Sequence, residues 1–199
     1  MDLCNSQTRQ NLMRAFAGES QARNRYTFAQ AQMTAQKQFM LADLFRFTAD
    51  QENEHAEIFY DHLKTGCAGD IEIQAAYPVD EDTTDIGEIL TAAASHEFKE
   101  AGEIYKAFAA TAREEGFAQI AQDFENIAAI ENTHAQRFER MAQLYKSGKL
   151  FSSDESTKWI CLNCGYILEG TQVPQNCPVC HGDRGYYIRL DMADWGLYR

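Results

Sequence analysis

Glu-x-x-His occurs twice in this chain, as ENEH at residues 52–55 and as ENTH at 131–134. Each copy lies in a stretch whose apolar residues recur every three or four positions, the rhythm of a buried helix face. Positions i and i+3 share one side of a helix, so each Glu points with its His into the seam the helix buries. Acids and imidazoles are costly to bury without a partner. The fold must bring both motifs to a partner, and this constrains it more than any other feature of the sequence.

Four long helical patterns precede residue 150. Helix A carries Leu12, Glu19, Tyr26 and Met33 at seven-residue steps. Helix B carries Phe45, Thr48, Glu52, His55, Phe59 and His62. Helix C carries Ile86, Leu90, Ala93, Glu97, Glu100 and Ile104, with Asp85 and Glu88 placed as a capping box at its start. Helix D carries Ile120, Phe124, Ile127, Glu131, His134, Phe138, Met141 and Tyr145. Gly66 and Gly69 fit the end of helix B. A few residues around 36–38 join A to B, and a few around Gly116 join C to D, so each pair is antiparallel. About twenty residues containing Pro78 separate B from C. One long crossover is the ferritin-like bundle topology.

The two helix pairs repeat. An offset of 79 carries Phe45 to Phe124, Glu52 to Glu131, His55 to His134, Phe59 to Phe138 and Tyr26 to Tyr105, while Glu19 reaches Glu97 only with a one-residue slip. A duplicated pair packs about a pseudo-twofold axis and sets the two Glu-x-x-His motifs face to face. Glu19, Glu52, Glu97, Glu100, Glu131, His55 and His134 then converge at mid-bundle. Two divalent cations would balance such a set, and mixed oxygen and nitrogen ligands favour iron or manganese. One Glu from each of two helices plus Glu-x-x-His from each of the other two is the di-iron carboxylate pattern. A single Glu-x-x-His is usually a surface pair; two in register with apolar seams, with Glu19 and Glu97 on the remaining helices, are not. Glu54, Glu57 and Glu103 fall off the seams and read as solvated, and His62 reads as a bundle-end histidine. Glu100 is one acid more than the pattern needs: either a carboxylate that replaces His55 or His134 on a metal, or a hydrogen-bond acceptor behind the ligands. Tyr26 and Tyr105 lie one to two turns from the acids, where their hydroxyls can bond ligand carboxylates or simply be core aromatics with a satisfied hydroxyl.

Beyond residue 150 the composition changes. SGKLFSSDEST (147–157) reads as a linker, and CLNC and CPVC supply Cys161, Cys164, Cys177 and Cys180. Two Cys-x-x-Cys pairs 12 residues apart make a tetrahedral four-sulfur site for zinc or a single iron. Gly165 permits a tight turn behind one pair, and Trp159, Tyr166, Tyr186, Tyr187 and Trp195 are the expected small core. The predicted organisation is a helical domain over 1–150 and a metal-stapled, β-rich domain over 151–199. Cys4 and Cys67 belong to no motif and read as free thiols.

The net charge of −12 argues against nucleic acid or an anionic membrane surface as partner. The first residues hold no signal-peptide core, and no apolar run approaches the roughly 20 residues of a membrane span. The cytoplasm is the expected location, where cysteines serve as thiols or metal ligands.

The sequence resembles the rubrerythrins through AFAGESQARNRY (15–26), ENEH, the Glu97/Glu100 pair followed by Tyr105, AREEGF (112–117), IENTHAQRF (130–138), and KWICLNCGY with CPVC. The resemblance implies a ferritin-like di-iron bundle fused to a rubredoxin-like Fe(Cys)4 domain, acting as a non-haem peroxidase that reduces hydrogen peroxide to water. It implies Glu19, Glu52, Glu97, Glu100, Glu131, His55 and His134 as di-iron ligands. Glu52 and Glu131 would bridge and Glu100 would exchange with His55. It also implies Cys161, Cys164, Cys177 and Cys180 as ligands of the electron-transfer iron, an external reductase, and a head-to-tail homodimer. Two features depart from the pattern: His181 stands where rubredoxins commonly have Gly, and the tail after Tyr187 is long. The competing expectations are an iron oxidase or store using oxygen, and a zinc-ribbon binding module on an inert bundle.

Overall fold

The computed structural model describes residues 2–193, and Trp195 of the expected small core lies outside them. Helix α1 spans Gln7–Ala35 and α2 spans Phe39–Gly66. After the crossover come α3 (Ile86–Lys99), a π-helical turn (Glu100–Ile104), α4 (Tyr105–Glu114) and α5 (Ala118–Lys146). The seams read from the sequence are the buried faces: Leu12, Tyr26, Phe45, Phe59, Leu90, Tyr105, Phe124 and Phe138 are all closed to solvent. Ser6 caps α1, its hydroxyl accepting from the Arg9 amide at 3.1 Å. Asp85 caps α3 by accepting from the Glu88 amide at 2.8 Å, and Thr83 completes the box by donating to the Glu88 carboxylate and accepting from the Asp85 amide.

Helix C is not continuous. Glu19 and Tyr26 are seven residues apart, whereas their repeat mates Glu97 and Tyr105 are eight apart. The π turn absorbs the extra residue. The slip in the repeat is therefore a structural insertion, and it keeps both Glu97 and Tyr105 on the inward face.

Cys4 and Cys67, expected as free thiols, form a disulfide with their Cα atoms 5.2 Å apart. The short A–B turn returns α2 to the end where α1 began, so the residue before α1 meets the residue after α2. Leu3 seats on Gly66, where any side chain would collide with it. The bond closes a sequence separation of 63 residues. Loop-closure entropy then predicts that Cys4→Ser/Cys67→Ser loses up to about 4 kcal/mol of stability, measured by denaturant unfolding of the helical signal.

The 147–157 segment is also more than a linker. Leu150 and Phe151 are buried, and β1 begins at Ser152 and runs to Cys161. Arg189 ties its start by donating to the Ser152 carbonyl at 2.9 Å. Among the described residues the C-terminal part is a three-stranded antiparallel sheet, ordered β2 (Ile167–Gln172), β1, β3 (Tyr187–Arg189). It docks on the α1–α2 turn. Tyr186 stacks on Phe39 with ring centroids 4.1 Å apart, and Gly185 packs so closely on the Lys37 carbonyl that no side chain could stand there.

Candidate metal centre

All four helical strands of the bundle aim acids at its middle. Glu19, Glu52, Glu97 and Glu131 are each 0% exposed, and His55 and His134 are buried beside them. The polar atoms sort into two overlapping groups. Glu19, Glu52, His55 and Glu131 form one, and Glu52, Glu97, Glu131 and His134 form the other, with donor atoms in each within 4.8 Å of one another. Glu52 and Glu131 belong to both. Nδ1 of His55 lies 2.8 Å from Glu131, 3.2 Å from Glu52 and 4.0 Å from Glu19. Nδ1 of His134 lies 2.8 Å from Glu131, 3.1 Å from Glu52 and 3.6 Å from Glu97. The pseudo-twofold of the repeat is thus visible at the level of single atoms.

The tyrosines follow the same symmetry. Tyr26 on α1 donates to Glu97, and Tyr105 on α4 donates to Glu19. Each hydroxyl fixes one carboxylate oxygen and leaves the other facing the centre. Burial, followed by the neighbouring carboxylates, pushes both phenols well above their ordinary range, so both keep their protons. Glu100 belongs to neither four-residue group. It stands half-buried at the start of the π turn, its carboxylate without a hydrogen bond or ion pair to the described residues, at the edge of the centre.

Burial first, then repulsion from Glu131 and Glu52, pushes Glu19 well above the usual carboxylate range; for Glu97 burial is followed by Glu52 and then Glu131. Glu100 is pushed up to about 8 by the same burial and neighbours. Burial depresses His55, but its bonds to Glu131 and Glu52 outweigh that and raise it to about 9; His134 is raised in the same way. Burial also raises Glu52, yet its two histidine partners hold it well below the ordinary value. Carboxylates crowded in a buried site repel one another and draw protons. One oxygen each of Glu19, Glu52 and Glu97, both oxygens of Glu131, and Nδ1 of His134 are buried with no well-formed hydrogen bond. Buried oxygen and nitrogen acceptors gathered in this way fit divalent cations.

Gln51 was invisible to the motif reading. Its side-chain oxygen accepts from Nε2 of His134 at 2.9 Å, which fixes the ring with Nδ1 toward the centre. The repeat places Ile130 at the matching position on α5, so the pinning of His134 breaks the pseudo-symmetry. His62, read as a bundle-end histidine, pairs with Asp123 at 2.8 Å.

The four sulfurs also meet. Cys161 and Cys180 Sγ are 3.9 Å apart and Cys164 and Cys177 Sγ 3.7 Å apart, close to the ~3.8 Å edge of a tetrahedron with metal–sulfur bonds of about 2.3 Å. Each pair ends in a left-handed turn, at Gly165 (φ +79°) and at His181 (φ +59°), whose amides bond back to Cys161 and Cys177 carbonyls. The missing Gly at 181 therefore changes the residue and keeps the conformation. Burial drives Cys161 up to about 12. At Cys177 burial is outweighed by the Cys180 amide and the Tyr187 hydroxyl, which bring it down to about 6. Four thiolates together need a cation. Trp159 and Tyr187 are the buried floor of this site.

A helical bundle with a paired carboxylate–histidine centre and an appended four-sulfur module defines a class of two-site metalloproteins. Residues 10–81 and 88–159 match the rubrerythrin family model, and residues 159–187 match that of the rubrerythrin rubredoxin-like domain. The chain is 42% identical over 185 residues to rubrerythrin of Nitratidesulfovibrio vulgaris, covering 93% of this chain and 95% of that one. It is 42% identical over 183 residues to rubrerythrin of Clostridium perfringens, covering 92% and 93%. The chain belongs to the rubrerythrin family. Among solved structures, fully reduced, all-ferrous nigerythrin superposes with a TM-score of 0.62 at 25% identity over 95% of this chain and 93% of that one. Bacterioferritin BfrA of Mycobacterium tuberculosis superposes at 0.59 and 21% identity over 72% and 86%, a likeness of fold alone. Membership implies iron, and both donor sets fit a metal site. No helix among the described residues is long and apolar enough to cross a membrane.

Proposed function

We propose that this chain is a non-haem di-iron peroxidase that reduces hydrogen peroxide to water, taking up two electrons and two protons per O–O bond broken. The observation that carries the reading is the pair of four-residue donor groups sharing Glu52 and Glu131, in one chain with a four-sulfur site. Glu19, Glu52, His55 and Glu131 would hold one iron and Glu52, Glu97, Glu131 and His134 the other. When bound, the iron pair supplies the two electrons and the Lewis acidity for O–O cleavage. The bundle seam excludes water around the ligands. Tyr26 and Tyr105 hold Glu97 and Glu19 in place by donating to them, and any proton they relay would pass through those carboxylates. Glu100, outside both groups, would exchange with His55, the histidine that Gln51 does not pin.

Electrons would enter through iron held by Cys161, Cys164, Cys177 and Cys180, supplied by an external reductase in the cytoplasm. The sulfur module of a chain sits at its own α1–α2 turn. Phe39 there is 13 residues before Glu52, roughly 20 Å along α2. A head-to-tail homodimer would bring a partner's module to mid-bundle, and it is part of the proposal.

The test is anaerobic stopped-flow on reduced, metal-quantified protein. Ferric-thiolate colour should return fast with hydrogen peroxide, much more slowly with oxygen, and not at all in Glu52→Ala. A fast response to oxygen alone would instead mark an oxidase. Replacing Gln51 by Ala should weaken metal binding at the His134 side by about 10–100-fold, read by metal titration. Glu19-side affinity should change far less, because the Gln51 side chain bonds His134, a member of the other donor group.

A further inference from the structure

Beside the carboxylate centre lies a cavity of about 460 Å³, roofed by residues 75–78 of the crossover and walled by α1, the π turn and α4. Ala15, Gly18, Pro78, Ile104, the Tyr105 ring and Phe108 make it predominantly apolar. Water needs only about 10–15 Å³ of such space, so hydrogen peroxide, two oxygens long, would leave most of it unused. The cavity has the size and the mix of many apolar and few polar groups found in sites for small organic ligands.

Its polar groups are mostly committed elsewhere. Arg14 donates to the Gln74 carbonyl and to Asn11, Tyr77 donates to the Arg14 carbonyl, and His96 pairs with Asp80. Glu100 and Lys99 are the exceptions: neither side chain has a hydrogen bond or ion pair among the described residues, and of the two only the Glu100 carboxylate lies at the edge of the metal centre. Tyr105 joins the cavity to the centre, with its ring in the wall and its hydroxyl on Glu19. Gly18 keeps space open next to Glu19, since a Cβ there would meet only the Tyr77 ring at 3.6 Å.

We infer that this cavity binds organic hydroperoxides, with the apolar body against Gly18, Pro78 and Phe108 and the –OOH end on Glu100. The inference rests on the peroxidase reading and names a wider substrate class for the same centre. The reaction is ROOH + 2 e⁻ + 2 H⁺ → ROH + H₂O. The O–O bond breaks, the reduced iron pair of the proposed function gives the two electrons, and one oxygen leaves as alcohol and the other as water.

Two measurements separate this inference from the reading beneath it. The first is calorimetric titration of the metal-loaded protein with cumyl alcohol, the unreactive product of cumene hydroperoxide. Binding should be saturable, and at least tenfold weaker in Gly18→Leu and in Ala107→Trp, which fill the cavity from opposite walls. Ala107 is exposed at the rim, so this second variant does not depend on core repacking. The second is the reoxidation rate of reduced protein by cumene hydroperoxide relative to hydrogen peroxide, which should fall at least tenfold in both variants. Absent binding, or equal binding and an equal rate ratio in wild type and Ala107→Trp, overturns the inference. Failure of hydrogen peroxide to oxidise the reduced protein overturns the peroxidase reading instead, and shows as a loss in the second measurement with the first intact.

Discussion

Glu52→Ala is expected to empty both positions of the bundle centre, while Glu19→Ala empties one. Glu52 contributes to both donor groups and Glu19 to only one. Losing even an outer hydrogen-bond partner of a ligand costs about 10–100-fold in metal affinity, so losing a shared ligand should cost more than ~100-fold at each position. Metal analysis after gel filtration should find less than half a bundle metal per chain in Glu52→Ala and about one in Glu19→Ala. The four-sulfur site, held by another domain, serves as the internal control and should keep its metal in both. Glu19→Ala should not unfold the bundle, because burial and its carboxylate neighbours make Glu19 costly when no cation is present; in Glu52→Ala, which takes a partner from His55 and His134, the helical signal is the check on folding. Equal metal loss in the two variants would contradict a shared, bridging Glu52.

Much of this arrangement was readable from the residues. The three-and-four rhythm of helices B and D put Glu52, His55, Glu131 and His134 on buried seams, and each is buried in the fold. The long crossover before helix C followed from chain length between patterned segments. What the pattern missed has identifiable causes. The one-residue slip between Glu19 and Glu97 signalled a π turn, but periodicity alone cannot say where in the eight residues before Tyr105 the extra one is absorbed. The Cys4–Cys67 disulfide needed one more step: an antiparallel A–B pair with a short turn must bring residues before A and after B together. Motif spacing looks along the chain and is blind to that meeting. Gln51 was missed because an amide beside a charged motif reads as solvent-facing, and only the ring orientation of His134 gives it a role. The start of β1 reads as a linker because Ser, Asp and Glu dominate it; pairing with β2 and the Arg189 contact outweigh that weak local preference.

Stripped of metal, the bundle should lose stability as pH rises from about 5 to 9, by something on the order of 3–5 kcal/mol. Glu19, Glu97 and Glu100 all titrate above their ordinary value in the folded chain, Glu100 at about 8. Between the unfolded value and the folded one, the native state holds more protons than the unfolded state, so stability falls with rising pH across that window. The histidines act with the same sign. His55 is raised to about 9, so the stability it contributes is complete below its unfolded value and drains away as pH rises through the folded one. Glu52, held low by its histidine partners, acts oppositely, but its contribution is lost only in acid, below the unfolded carboxylate range. Thermal unfolding of chelated protein, followed by the helical signal, should therefore peak near pH 5. Glu97→Gln should flatten the decline, because it removes one proton-hungry acid without changing the seam. The metal-loaded protein should show the reverse slope over the same range, since ligands must shed protons to bind and affinity tightens as pH rises. Opposite slopes with and without metal are the signature of a centre whose acids are gathered for cations. Parallel slopes would mean that the buried cluster is indifferent to what it holds, and the metal-centre reading would fall with them.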